Sequence, residues 1–388
     1  MLVNNVSRDR SSIPFHILSK AIGSNCNLAC RYCYYPQESH PGGRMDINLL
    51  EKFIREYIEK HPIYSKSINF VWQGGEPLLA GISFYKRVIA FQEKYRPKGV
   101  LITNTVQTNG TLITDEWSIF FKEYQFIVGI SLDGDAILND KHRIDKQGGG
   151  SHSKIVQGLK NLLIHQVEFN LLVVVHDEMV EFAKEVYQHF VKLGARYIQF
   201  QPLTSGGRAN NRYQLSEDLW GKFLIDIYTE WRVSKHLGKV FITNIENSYV
   251  QYFTKFSPTC VHSKACGNQL ALEVNGDIYA CDHLINEGHY LGNLLETDSL
   301  VDMLNLSVTM PFGINKSKRR ECQTCRVKLL CEGGCPTHID SHGHNSLCRG
   351  YFQFFSVILN EVGEYPRNQE GLLAWQRNLN KMKYSTLV

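Results

Sequence analysis

Apolar and polar positions come in alternating blocks along the first 235 residues. Runs rich in Val, Ile and Phe lie at about Phe15–Ile22, Ile68–Trp72, Leu101–Gln107, Phe126–Leu132, Glu168–Val175 and Tyr197–Pro202. Several are almost continuously apolar, as parallel strands covered on both faces are. Helical spacing recurs at about Asn48–Lys60, Ser83–Tyr95, Asp115–Glu123, Ser153–His165, Val180–Lys192 and Asp218–Ser234. Six strand–helix repeats with short turns predict an α/β fold, a partial (β/α)6 barrel rather than a closed eightfold one.

Beyond about Trp231 the pattern changes. Leu272, Val274 and Ile278 alternate around Asn275-Gly276, which reads as a hairpin with a two-residue turn over Leu270–Asp282. Its second strand delivers Cys281 and Asp282. Two domains are expected: a barrel over 1–235 and a small cysteine-rich extension over 236–388. The latter ends in an amphipathic segment at about Glu370–Met382, expected to pack on the body.

Barrels of this kind carry their active sites at the C-terminal ends of the strands. The first strand runs into a cysteine loop. The second ends in Gln73-Gly74-Gly75-Glu76-Pro77, where glycines let backbone approach a ligand and Glu76 offers an acceptor for an ammonium. The third ends in Gln107-Thr108-Asn109-Gly110 and the fourth in Ser131-Leu132-Asp133-Gly134. Arg143 follows one loop later and suits a carboxylate. The sixth ends near Gln201, Leu203 and Thr204. Asn-Gly and Asp-Gly alone are ordinary turn dipeptides; such groups on four consecutive strand ends point to a ligand.

All eleven cysteines fall in two places. Cys26, Cys30 and Cys33 are spaced C-x3-C-x2-C, which can hold three irons of a cubic 4Fe–4S cluster and leave the fourth open. Part of a zinc site, or three small buried side chains, would give the same spacing. Tyr32 and Tyr34 in its flanks place aromatic rings beside such a cluster. Cys260, Cys266, Cys281, Cys322, Cys325, Cys331, Cys335 and Cys348 suit two four-thiol sites, with two zinc sites as the alternative. A disulfide framework would leave one cysteine over and expects a short secreted chain. The first fifteen residues have no apolar signal-peptide core.

Composition narrows the class. The chain of 388 residues is 43% hydrophobic, enough for a sizeable core. Net charge is +4, and the basic residues are dispersed rather than interleaved with aromatics, so no nucleic-acid surface is expected. The dense run Lys316–Arg320 reads as a solvated face, or else as a positive fringe near the site of Cys322. The longest apolar run, about Leu171–Val175, is too short to span a bilayer. His283 reads as a polar neighbour, and His338, His342 and His344 as members of a solvated loop. Thiolates on iron require a reducing, low-oxygen compartment, here expected to be the cytoplasm.

With these motifs the chain resembles the radical S-adenosylmethionine (SAM) family. The run C-x2-C-x5-C-x3-C-x12-C from Cys322 resembles its SPASM extension. Within that family, Gly23–Leu28, Trp72–Gly81, Gln107–Leu112, Val128–Gly134, Asn275–His283 and Cys331–Pro336 resemble anaerobic sulfatase-maturating enzymes. The likeness runs from about residue 15 to residue 356. It implies the (β/α)6 barrel, SAM and three 4Fe–4S clusters. Cys26, Cys30 and Cys33 would hold the SAM cluster. Cys260, Cys266, Cys281 and Cys335 would hold one auxiliary cluster, and Cys322, Cys325, Cys331 and Cys348 the other. Tyr32, Ser131, Arg143, Leu203 and Thr204 would contact SAM, together with Gln73, Gly74, Gly75, Glu76 and Asn109 at the strand ends. Asp282 would be the proton acceptor; its bland reading is a loop cap.

The implied reaction oxidises a cysteine or serine of a sulfatase to formylglycine, with flavodoxin or ferredoxin as electron donor. Two departures concern substrate: Gln201–Arg208 lacks the acidic, more apolar character usual there, and Asp135 replaces a common proline. The alternatives are a maturase forming a carbon–carbon (cyclophane) or thioether crosslink in a ribosomally made peptide, and a non-enzymatic zinc- or iron-binding redox protein.

Overall fold

The computed structural model describes residues 10–36, 39–204, 215–296, 299–314 and 316–385. The strands β1 (His16–Ser19), β2 (Ser67–Trp72), β3 (Leu101–Thr108), β4 (Ile127–Ser131), β5 (Phe169–Val175), β6 (Tyr197–Pro202) and β7 (Phe241–Ile242) lie side by side in sequence order, all parallel. The helices between them are α1 (Ile47–Glu59), α2 (Ile82–Tyr95), α3 (Asp115–Glu123), α4 (Ala136–His142), α5 (His152–Ile164), α6 (Ala183–Lys192) and α7 (Glu217–Val233). The partial barrel is as expected, and the sheet does not close.

Side-chain chemistry explains the element bounds. Asp46, Thr114, Asp135 and Ser216 each accept a backbone N–H in the first turn of α1, α3, α4 and α7, respectively. Such caps contribute about 1 kcal/mol each. Along α1, Leu49, Leu50, Phe53, Ile54, Tyr57 and Ile58 are buried, one apolar stripe at helical spacing. Trp72 at the end of β2 anchors the core. Phe53, Phe84 and Tyr85 meet it edge-on, and its indole N–H donates to Asn104 at 3.0 Å.

The second part continues the same sheet. Helix α8 (Thr243–Thr254) follows β7 without a gap. Strand β8 (Gln269–Leu272) then pairs in parallel with β1, from His16 opposite Gln269 to Ser19 opposite Leu272. Antiparallel β9 (Asp277–Tyr279) and β10 (Tyr290–Asn293) complete a sheet of ten strands among the described residues. The expected hairpin is present with a different turn. Glu273 N–H donates to Asp277 O at 2.8 Å and Gly276 N–H to Glu273 O at 3.1 Å, which leaves Val274, Asn275 and Gly276 in the loop. Three-residue loops carry a glycine in the left-handed region, and Gly276 has φ +96°.

Helices α9 (Leu300–Thr309), α10 (Arg320–Gln323), α11 (Lys328–Cys331), α12 (Cys348–Val362) and α13 (Gln369–Ser385) follow. A side chain on Gly350 would come closer than 3.0 Å to Glu217 O, so α12 docks on α7 backbone to backbone. The C-terminal helix packs on the body as expected, with Trp375 4.4 Å from the ring of Tyr249 and its N–H on Glu361 at 3.1 Å.

Two buried histidines meet at the barrel mouth. The rings of His142 and His176 are 4.4 Å apart, and burial, reinforced by His176, lowers the His142 pKa from 6.5 to about 4. The unfolded chain therefore binds a proton near pH 6.5 that the folded chain refuses until about pH 4. Stability is full above pH 6.5 and is lost as pH falls toward 4. His142→Gln is expected to flatten that loss by up to about 3 kcal/mol, read from melting temperature between pH 7 and pH 4.5.

Candidate active site

The cysteine loop after β1 is clamped from two sides. Ala29 N–H donates to Ile144 O at 2.8 Å and Arg31 N–H to His142 O at 3.0 Å, tying the loop to the end of α4 and the segment after it. On the other side Glu76 N–H donates to Asn25 O at 2.8 Å. Gly75 has φ +52°, and any side chain there would come closer than 3.0 Å to Asn25 O and Gly23 O. Glycine is thus required where β2 ends against the loop. Asn109 donates to Asn27 at 2.8 Å and to Cys26 Sγ at 3.8 Å.

Glu76, expected as an acceptor for an ammonium, sits at the junction of β2 and β3. It is 0% exposed and spends both oxygens on the chain, accepting from Leu78 N–H at 3.0 Å, Thr108 Oγ1 at 2.7 Å and Asn109 N–H at 2.7 Å. Its work is to fasten the end of β2 to the end of β3. Burial raises its pKa to about 7.

Arg143 likewise has a partner within the chain. Its Nε donates to Asp133 Oδ2 at 2.8 Å and Nη2 to Oδ1 at 3.3 Å, both groups being buried. Tyr32 O–H donates to the same carboxylate, and the guanidinium lies 5.4 Å from the Tyr32 ring. Leu203 packs on Tyr32 beside Cys30. Ser131 accepts from Gln107 at 3.1 Å. Thr204 is the last described residue after β6; Ser205 to Arg208, the rest of the segment expected to depart from the family pattern, lie outside the described residues. Asp135, the other departure, caps α4 through Ile137 N–H at 3.0 Å and Leu138 N–H at 3.1 Å.

Across from the triplet stands Asp282. Tyr34 O–H donates to its Oδ2 at 3.2 Å, and Gln73 Nε2 donates to Tyr34 Oη at 2.9 Å. Gln73 was expected at the cofactor; the structure puts its amide on Tyr34. Burial works to raise the Asp282 pKa. The His283 and Lys20 charges and the Tyr34 hydrogen bond outweigh it and hold the group below the ordinary carboxylate value. The side chain is therefore an ionised acceptor at neutral pH. His283 is exposed and stacks on Tyr34 at 4.9 Å, a polar neighbour as expected.

The eleven thiols gather as three, four and four. Cys26, Cys30 and Cys33 lie within electrostatic reach of one another, Cys335 within reach of Cys260, Cys266 and Cys281, and Cys331 within reach of Cys322, Cys325 and Cys348. The last four line one cavity with Arg319 and Asn345. Burial pushes the Cys26, Cys260 and Cys331 thiols up to about 12 and Cys30 to about 11. Thiolates form in such surroundings only beside a cation, so the donor sets fit metal or iron–sulfur groups. The run Lys316–Arg320 is not simply a solvated face. Lys316 is buried with its ammonium on Cys260 O at 2.7 Å and Val261 O at 3.0 Å, and Arg319 reaches Cys322 Sγ at 3.9 Å. Nor is His338 solvated: burial lowers its pKa to about 3. His342 and His344 are exposed, as expected.

The pattern of the radical SAM superfamily matches residues 21–190, and that of an iron–sulfur cluster-binding domain, SPASM, matches residues 260–326. Over 368 residues the chain is 54% identical to the serine-type anaerobic sulfatase-maturating enzyme of Klebsiella aerogenes, covering 95% of this chain and 91% of that one. The chain belongs to the anaerobic sulfatase-maturating enzymes. It is 31% identical to the cysteine-type enzyme of Clostridium novyi, over 89% of this chain and 96% of that one. A solved structure of anSMEcpe with bound AdoMet and a peptide superposes with TM-score 0.80 at 28% identity, over 90% of this chain and 98% of that one. As a family member the enzyme is a radical SAM protein with iron–sulfur clusters.

Sequence reasoning missed Lys20, Glu273 and the role of Tyr34. Lys20 had a signal, a lysine at the end of an apolar strand. Glu273 and Tyr34 had none, because their partners lie in distant segments: Tyr35 O–H donates to Glu273 as Tyr34 does to Asp282.

Proposed function

We propose that this enzyme oxidises a serine of a sulfatase polypeptide to formylglycine. The observation that supports it most is the Gln73–Tyr34–Asp282 chain, which spans from the end of β2 to the residue beside Cys281. Serine as the target follows the serine-type relatives, which are the more similar ones. Cys26, Cys30 and Cys33 would hold the SAM cluster. Cys260, Cys266, Cys281 and Cys335 would hold one auxiliary cluster, and Cys322, Cys325, Cys331 and Cys348 the other. Bound there, SAM and the clusters supply a hydrogen-abstracting radical and an acceptor for the electron left on the substrate.

The chain's residues do the rest. Tyr32 and Leu203 form an apolar wall for the adenine beside Cys30. Ser131 and Arg143 would meet SAM's polar end, with Asp133 fixing the guanidinium in place. Asp282 takes the hydroxyl proton, which requires hydrogen-bond reach to the target side chain. Tyr34 and Gln73 hold the Asp282 carboxylate toward that position. The barrel over 1–235 would serve SAM, and 236–388 would supply the auxiliary sites. A reducing cytoplasm and a flavodoxin or ferredoxin complete the picture. Among the described residues no helix is long and apolar enough to cross a membrane.

The test is anaerobic. The reconstituted enzyme is given SAM, reductant and serine- or cysteine-bearing sulfatase peptides. Deoxyadenosine together with loss of two hydrogens from the serine peptide is expected. Deoxyadenosine with an unchanged peptide would redirect the search to a crosslinked precursor peptide. Intact SAM with zinc on the thiols would overturn the reading.

A further inference from the structure

Lys20 follows β1 directly, where the sheet passes from the barrel to the hairpin. Its side chain is 0% exposed, and its ammonium has no hydrogen-bond partner among the described residues. The nitrogen lies 4.1 Å from the centre of the Tyr35 ring and 5.8 Å from that of Tyr34. Its stem fills the space a side chain on Gly74 would need, closer than 3.0 Å, so the glycine turn leaves room for this lysine. A buried charge without a hydrogen-bond partner is costly, and an apolar side chain of similar volume would pack there at less cost. The cost calls for a purpose outside folding.

The surroundings supply one. Asp282 and Cys281 face Lys20 from beyond β9, Glu273 from the end of β8, and Cys33 from the first cysteine loop. Burial lowers the Lys20 pKa, and all four groups act the other way. The Tyr34 ring, 5.8 Å from the ammonium, belongs to the residue after Cys33, and its hydroxyl donates to Asp282, the residue after Cys281, so the ammonium lies beside the link between the two thiol sites. Tyr35 O–H donates to Glu273, which leaves that carboxylate fixed rather than free to swing onto the ammonium.

We propose that Lys20 is a shared counter-charge for the two iron–sulfur sites beside it, the one held through Cys33 and the one held through Cys281, and that it raises the reduction potential of both. A positive charge at low dielectric favours the state carrying one more electron. The ring faces of Tyr34 and Tyr35 add to the ammonium's own stability. Lys20 acts through the two sites' charge and is a positioning residue. The inference rests on the reading above only in taking these thiols as iron–sulfur ligands; it does not depend on which peptide is oxidised.

The test compares the iron-loaded enzyme with Lys20→Met and Glu273→Gln by potentiometric titration followed by electron paramagnetic resonance, without peptide. Cys281→Ala assigns the signals. In Lys20→Met the electron-uptake equilibrium of both sites should weaken at least tenfold, which is about 59 mV for one electron. Glu273→Gln removes a negative charge beside the ammonium and should move the potentials up. The metal-free Lys20→Met protein should melt no lower than the wild type, whereas a structural role for the ammonium predicts a lower melting temperature. Unchanged potentials in Lys20→Met with full iron would overturn the proposal. Should that variant lose its iron, an unchanged potential in Glu273→Gln would overturn it instead. Failure of the sulfatase peptide to react would leave these potentials unaffected.

Discussion

Asp282→Asn is expected to lower aldehyde formation by about a hundred- to ten-thousand-fold, the range lost with a general base, while deoxyadenosine still forms from SAM. The amide keeps an oxygen to accept from Tyr34, which donates at 3.2 Å in the wild type, so the loop should keep its shape. What disappears is an anion that can take a proton. That anion is secured at neutral pH because the charges of His283 and Lys20 and the Tyr34 hydrogen bond outweigh burial. Product mass and deoxyadenosine, measured on one sample, separate the two steps. Aldehyde formation within tenfold of the wild type would remove Asp282 from the proton transfer and return it to the role of a loop cap.

Gly75→Ala should abolish SAM cleavage by a different route. The added carbon would approach Asn25 O and Gly23 O closer than 3.0 Å, and both are backbone atoms that cannot swing aside. The loop carrying Cys26 must move, and with it the geometry of three thiols. Gly81→Ala provides the control: its φ is +79°, yet nothing lies within 4 Å of the added carbon. With ψ 156° it pays only the strain of a backbone region kept almost entirely to glycine, about 1–3 kcal/mol, and should retain iron and activity. If Gly75→Ala kept full iron and full SAM cleavage, the clamp between the second strand and the cysteine loop would be unimportant.

Much of this was legible in the residue order. The six barrel strands showed because each is a short, nearly unbroken apolar run, and their helices because the apolar stripes repeat at helical spacing. The strand-end motifs do come together with the cysteine loop, through Glu76 on Asn25 and Asn109 on Asn27. What stayed hidden depends on pairing between distant segments. β7 has two residues, Phe241 and Ile242, too few to show any period. Nothing near Gln269–Leu272 announces that it lies parallel to β1. The inward turn of Glu76 and the pairing of Arg143 with Asp133 are choices made among several nearby donors and acceptors, and a sequence supplies the candidates without the geometry. For Lys316 and Arg319 the sequence left two readings, a solvated face or a positive fringe near Cys322; backbone carbonyls take up Lys316 and the Cys322 thiol meets Arg319, which favours the second.

The pairing of β8 with β1 carries one more consequence. Four residue pairs join the barrel to the cysteine-rich extension through backbone hydrogen bonds. A chain cut after residue 235 would strip that cover from β1 and expose a row of unsatisfied amides and carbonyls, a template on which further copies could add. The extension is therefore no removable accessory to an otherwise complete catalyst. Grafting it from a relative would require a matching seam as well as matching thiols, and a shortened enzyme should be recovered as aggregate before its chemistry could be assayed.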